Sequence, residues 1–181
     1  MADRIRKIAM AKPRGIILRA KELSEEDYSA LAATAYEICR AVSARLILHS
    51  HPNVARELGA DALHMPLFML RGMSGKEKEG YSVLGASCHS VTDAIEAEKS
   101  GCTYITAGHI FETDCKRGLP GRGLEFLRAV CESVSIPVYA IGGITAENIG
   151  AVRAAGAAGA CIMSGVMKCD DVKGYLKGYD I

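Results

Sequence analysis

Short apolar runs alternate with longer amphipathic stretches along the whole chain, and this alternation more than any other feature limits what the chain can fold into. A short apolar run bounded by glycine or polar residues reads as a buried strand. A longer stretch with apolar residues every three or four positions reads as a helix. Strands are expected at 15–19 (GIILR), 45–49 (RLILH), 61–64 (DALH), 82–86 (SVLGA), 102–107 (CTYITA), 137–141 (PVYAI) and 158–163 (AGACIM). Strands that alternate with helices pair in parallel, because each helical crossover returns the chain to begin the next strand in the same direction.

The helices carry their own punctuation. Tyr28, Leu31, Ala32, Ala35, Ile38, Cys39 and Val42 recur at helical spacing behind Ser24 and Asp27, a capping pair. Ser90 with Asp93 opens a helix that ends before Gly101, and Thr145 heads another that ends before Gly156. "LGADALH" (58–64), "SGCTYIT" (100–106) and "AGAAGACIM" (155–163) repeat one pattern of helix end, glycine, small residue and strand. These units predict one domain, 1–181, with the α/β fold of a TIM (β/α)8-type barrel in which seven strands are counted. An open doubly wound sheet is the alternative. In a barrel the active site lies where strands end and the following loops begin.

The charge balance excludes some classes of partner. The formal net charge is +1 with both signs interspersed, so no surface for nucleic acid or anionic lipid is expected. The opening "MADRIRKIAMAKPRG" has no apolar core of a secretion signal, and no run approaches ~18 apolar residues. Cysteines 39, 88, 102, 115, 131, 161 and 169 are odd in number, form no C-x-x-C pair and fall mostly in apolar runs. They read as reduced, buried thiols of a soluble, cytoplasmic protein.

Two turns suit a phosphate. "AIGGIT" (140–145), with Gly142 and Gly143, and "IMSGV" (162–166), with Met163, Ser164 and Gly165, follow the last two strands and offer bare backbone amides. The other reading of these glycines is a pair of tight turns. Upstream, "TAGHIFETDCKRGLPGRGLEFL" (106–127) sets His109 at a strand end, followed by a loop with Lys116 and Arg117. Such a histidine is either a loop hydrogen-bonder or an acid–base catalyst, since imidazole ordinarily changes charge near neutrality.

Four motifs, "LGASCHS" (84–90), "GHIFETDCKRGLPGRGLEFL" (108–127), "IPVYAIGGIT" (136–145) and "AGACIMSGV" (158–166), resemble the thiamine phosphate synthase-like barrels, and specifically their thiazole tautomerase branch. The resemblance runs from about Ile16 to Val166. It implies an isomerase of thiamine biosynthesis that converts a carboxythiazole phosphate with an exocyclic double bond into its aromatic isomer, with His109 moving the proton. It further implies a small thiazole phosphate as partner, no cofactor or metal, and a homodimer. Substrate contacts are expected from Arg19, Lys21, Ser87, His89, Thr113, Lys116, Gly142, Gly143, Met163, Ser164 and Gly165, with His109, Gly143 and Ser164 converging on one pocket. Arg19 and Lys21 meet the substrate carboxylate or form salt bridges at the core edge; Lys116 meets the substrate or is a solvated charge; His89 lines the pocket or caps the next helix.

The alternative activity is thiamine phosphate synthase, which joins a pyrimidine pyrophosphate to a thiazole phosphate. Loss of pyrophosphate calls for Mg²⁺ on carboxylates near strand ends. The corresponding stretches here, "LHSHP" (48–52) and "LHMPLFML" (63–70), contain none. A non-catalytic, regulatory binder of thiazole phosphate is a further alternative, one with no need of His109. His49, His51 and His64 lack a carboxylate companion and Pro52 interrupts their spacing, so they are expected to be pocket-lining or packed side chains and not a zinc site. Related barrels place a strand before the opening helix "ADRIRKIAMAK". The chain is therefore expected to begin natively upstream of Met1, or to have the gap beside GIILR and ACIM shielded by a partner subunit.

Overall fold

A computed structural model describes residues 1–179, the side chain of Cys115 excepted; what the sequence expects of that thiol lies outside the described residues. The strands are β1 (Ile16–Leu18), β2 (Leu46–His49), β3 (Ala62–Pro66), β4 (Val83–Cys88), β5 (Tyr104–Gly108), β6 (Val138–Ile141) and β7 (Gly159–Cys161). The helices are α1 (Ala2–Met10), α2 (Glu25–Ala41), α3 (Pro52–Glu57), α4 (Leu67–Leu70), α5 (Gly75–Glu79), α6 (Val91–Lys99), α7 (Gly123–Ser133), α8 (Ile149–Ala154), α9 (Ser164–Lys168) and α10 (Val172–Lys177). Asp114–Lys116 forms a short 3₁₀ turn. This is the α/β class with seven parallel strands of the TIM-barrel type. No helix among the described residues is long and apolar enough to cross a membrane.

The described chain divides into two compact units. The first comprises Met1–His64, Gly80–Val83 and the chain from Ser164 onward. In it β1, β2 and β3 pair in parallel, with Ile16 opposite Leu46 and His49 opposite His64. The Ser24 hydroxyl accepts the Asp27 N–H at 3.1 Å, which starts α2 at the expected place. Its inner face of Tyr28, Ala32, Ala35 and Cys39 is buried, and the small residues let the helix lie close to β2. Tyr28 has no exposed surface. Its hydroxyl donates to Leu18 O at 2.9 Å and accepts the His49 N–H at 3.1 Å, pinning the ends of β1 and β2 where the ladder between them stops. Helix α1 packs on α2 and α10 through buried Ile5 and Ala9.

The second unit, Met65–Glu79 and Leu84–Met163, holds β4 to β7 paired in chain order. Gly85 is required by packing, because a Cβ there would lie 2.6 Å from the Tyr104 hydroxyl; Tyr104 in turn sets its ring edge-on to Tyr139 at 5.8 Å. Ser90 caps α6 through the Asp93 N–H at 3.0 Å, as its spacing predicts.

The seven strands stand where the sequence places them, with shifted ends. The first strand loses Gly15 and Arg19, and the last loses Ala158, Ile162 and Met163, to the adjoining loops. The third and fourth run two residues further than expected, so Ser87 and Cys88 belong to β4 and do not follow it. Thr145 does not head a helix. Residues 146–148 form a turn, and α8 starts at Ile149.

Candidate active site

In the second unit the carboxyl ends of β5 and β6 lie side by side, with Gly108 opposite Ile141. A Cβ on Gly108 would sit 2.7 Å from the Ile141 carbonyl oxygen, so only glycine lets the two ends approach. The contact continues beyond the strands: Ile110 N–H donates to Ile141 O at 2.9 Å and Phe111 N–H to Gly142 O at 3.0 Å. The next turn combines two constraints. Gly142 (φ 97°) and Gly143 (φ 66°) are both left-handed, a Cβ on Gly142 would clash with the Cβ of His109, and one on Gly143 would lie 2.5 Å from Glu112 O. The Gly142–Gly143 backbone therefore lies directly against the His109–Glu112 segment.

His109 follows β5 at once, as its position in the motif predicts, and is half-buried. Its Nε2 lies 3.3 Å from Leu119 O. His89 reaches the same segment: its Nδ1 lies 3.0 Å from Gly108 O, and because a carbonyl only accepts, Nδ1 carries the proton. The His89 N–H donates to Asp93 Oδ2 at 2.8 Å, so its backbone helps to cap α6 while its ring holds the peptide before His109. His89, His109, Gly142 and Gly143 are thus brought together.

The loop after His109 is tied at both ends. Lys116 N–H donates to Thr113 O at 2.9 Å and Leu119 N–H to Lys116 O at 3.1 Å; on return, Arg122 N–H donates to His109 O at 3.0 Å and Gly123 N–H to Ile110 O at 2.9 Å. Exposed Arg117 pairs with exposed Asp114 at 3.4 Å, a surface contact of small energetic value. Among the described residues Lys116 has no ion-pair partner. Ser87 is half-buried opposite Thr106, and Met163 is 53% exposed beyond β7.

The sequence reading missed Asn148. Its Nδ2 donates to Gly143 O at 2.9 Å and its Oδ1 accepts the Thr145 N–H at 2.9 Å, so one side chain fixes the Gly143–Thr145 turn. The signal was the spacing Thr145-x-x-Asn148, which is that of a side chain reaching back to a capping position.

Arg19, Lys21, Ser164 and Gly165 lie in the first unit, so of the expected trio only His109 and Gly143 share a unit. Arg19 and Lys21 are exposed after β1 and form no ion pair among the described residues. Their charge is felt by His49, which burial first, and then Arg19 and Lys21, lower to about 4. Burial, with His49 beside it, lowers His64 to about 3. The two rings stack at 5.5 Å, His49 Nδ1 lies 2.6 Å from Ser50 Oγ, and His51 stacks on Tyr28 at 3.8 Å. His51 is thus engaged apart from the His49–His64 pair, and among the described residues no three His, Cys, Asp or Glu side chains gather as a ligand set. Ser164 begins α9 exposed, and a Cβ on Gly165 would lie 2.5 Å from Tyr175 Cζ.

Residues 1–166 match the family model described as thiamine monophosphate synthase. The chain belongs to that family. It is 34% identical over 167 residues to thiamine-phosphate synthase 2 of Streptococcus pneumoniae, covering 90% of this chain and 78% of that one. It is 37% identical over 171 residues to the thiamine-phosphate synthase of Caldivirga maquilingensis, covering 92% and 83%. Among solved structures, thiamine phosphate pyrophosphorylase from Pyrococcus furiosus superposes with a TM-score of 0.82 at 30% identity, covering 99% and 87%. A 3-hexulose-6-phosphate synthase shares the fold alone, with a TM-score of 0.71 at 16% identity over 98% and 92%. These matches are to the family and do not single out its tautomerase branch.

Proposed function

We propose that the protein is a thiazole tautomerase of thiamine biosynthesis, in which His109 takes a proton from the ring carbon bearing the carboxylate and returns one to the exocyclic carbon. The isomerisation shifts a proton and a double bond with no net oxidation or reduction, and aromatisation drives it. What the enzyme must supply is orientation and a base, the two things that a histidine braced on a glycine turn offers. The observation that carries the proposal is the packing of His109 directly against Gly142, with the Gly143–Thr145 turn beside it fixed by Asn148. That turn is the proposed phosphate contact, with Lys116 as its charge partner. Ser87 and Thr113 are proposed to contact the substrate. Arg19, Lys21, Met163, Ser164 and Gly165 keep the binding roles that the resemblance implies, as part of the same proposal.

The second reading is the synthase reaction, and the relatives' names favour it. It needs Mg²⁺ on a pyrophosphate. The residues here do not fit that ion: β3 ends His64-Met65-Pro66, β4 ends Ala86-Ser87-Cys88, and neither strand end supplies a carboxylate.

The test is direct. Purified protein is incubated with the carboxythiazole phosphate tautomer while the aromatic product is followed, and separately with Mg²⁺, pyrimidine pyrophosphate and thiazole phosphate. Isomerisation that His109→Gln slows roughly 100-fold or more, with inorganic phosphate binding retained, is expected. Synthesis of thiamine phosphate without isomerisation would replace the proposal by the second reading.

A further inference from the structure

On the tautomerase reading, we infer that His109 works through Nδ1, and that the Leu119 carbonyl is the positioning group that assigns it this role. The only hydrogen a carbonyl oxygen can share is a donor's, so the 3.3 Å approach of Nε2 to Leu119 O places the proton of the neutral ring on Nε2. The lone pair then resides on Nδ1, which has no hydrogen-bond partner among the described residues. A neutral imidazole has one basic nitrogen, and here the loop selects which one.

Several features make Leu119 O a fixed acceptor. The following residue is Pro120, so the Leu119–Pro120 peptide has no N–H and offers the ring an acceptor only; the proline also restricts Leu119 to extended backbone. The Leu119 N–H is held by Lys116 O, and the loop's return is bonded to His109 and Ile110 through Arg122 and Gly123. Gly121 seats that return: a Cβ on it would lie 2.5 Å from Ile110 O and 2.8 Å from the Cα of Phe111. On the other side His89 holds Gly108 O, so the backbone that carries the imidazole is gripped too.

The arrangement has a catalytic consequence. When Nδ1 takes the substrate proton the ring becomes cationic, and the Nε2–H to carbonyl bond becomes charge-assisted and stronger. The loop thus stabilises the protonated base more than the resting one, which is the direction that lowers a proton-transfer barrier. The same proton then returns from Nδ1 to the exocyclic carbon, and the ring is neutral again with Nε2 still protonated.

The experiment uses the whole chain labelled with ¹⁵N-histidine, in buffer alkaline enough for neutral rings, with the His109 resonances assigned by their loss in His109→Gln. The expected spectrum shows the Nε2–H tautomer for His109. In Pro120→Gly, which frees the Leu119 carbonyl, the tautomers should mix and kcat fall roughly 10- to 100-fold with KM little changed. An Nδ1–H tautomer in the native protein, or a fall in kcat in Pro120→Gly with the tautomer unaltered, would overturn the inference. Failure of the native protein to isomerise the substrate sinks the tautomerase reading instead, whatever the spectrum shows.

Discussion

The Cα of His109 lies 2.9 Å from the point at which a Cβ on Gly142 would stand, so the residue that bears the imidazole and the glycine of the next strand's turn are in direct backbone contact. Gly142→Ala should therefore act twice. The alanine would be forced into a left-handed conformation at φ 97° and would push into His109. A loss of about 2–4 kcal/mol in stability is expected, with isomerisation lost beyond what the stability change explains. Urea unfolding and kinetics on the folded fraction measure the two effects. A variant as stable and as active as the parent would show that the contact has no role.

The paired histidines of the first unit predict an acid-sensitive fold. His49 is held at about 4 and His64 at about 3, both below the ordinary 6.5, chiefly by burial. The unfolded chain then binds more protons than the native one from pH 6.5 downward. Stability is therefore complete above that pH and lost on acidification through the native values. His49 alone accounts for roughly 3 kcal/mol across the window. The upper part of the window, above about pH 5, reports the histidines with little contribution from carboxylates. Urea midpoints measured there should fall with pH, and His49→Gln should flatten the slope; an equal slope in the variant would refute the assignment.

Much of this architecture was legible in the sequence because it rests on local rules. Seven apolar runs gave seven strands, and the Ser24–Asp27 and Ser90–Asp93 spacings marked true helix starts. His109 was findable because a histidine after a strand-ending glycine can emerge only at the strand's carboxyl end. What escaped were side chains serving a turn elsewhere in space. The sequence pattern starts the helix at Thr145 and so makes Asn148 an interior helical residue, whereas its bond to Gly143 O depends on a turn that no periodicity encodes. The ring of His89 binds Gly108 O across 19 positions, which sequence spacing alone does not reveal.

Cys88 and Cys102 should be inert as long as the second unit is folded. Both are buried, at 0% and 4% exposure, and burial pushes each thiol up to about 12. At pH 8 only about one molecule in ten thousand carries either thiolate. Alkylation by iodoacetamide, read site by site by mass spectrometry, should be roughly 100-fold slower at these two than at half-buried Cys169, and should become uniform in urea. Rapid native labelling of Cys88 would mean that β4 opens readily.

The last prediction separates the turn from the base. Asn148 hydrogen-bonds Gly143 and Thr145, and no hydrogen bond joins it to His109 among the described residues, so its loss should loosen the proposed phosphate contact and leave proton transfer alone. Asn148→Ala removes a donor and an acceptor; affinity for the phosphate-bearing substrate should fall roughly tenfold, with kcat within about twofold. Asn148→Asp discriminates further. The carboxylate can still accept the Thr145 N–H, so the fold should keep most of its stability, but it cannot donate to Gly143 O and it sets a negative charge beside the bound anion. Its affinity should therefore be lower than that of the alanine variant, and the gap between the two should narrow as salt is raised and the repulsion is screened. Titration with inorganic phosphate at two ionic strengths makes the comparison without any turnover. If Asn148→Asp binds phosphate as well as the parent, the anion is held elsewhere and the Gly143–Thr145 turn is structural only.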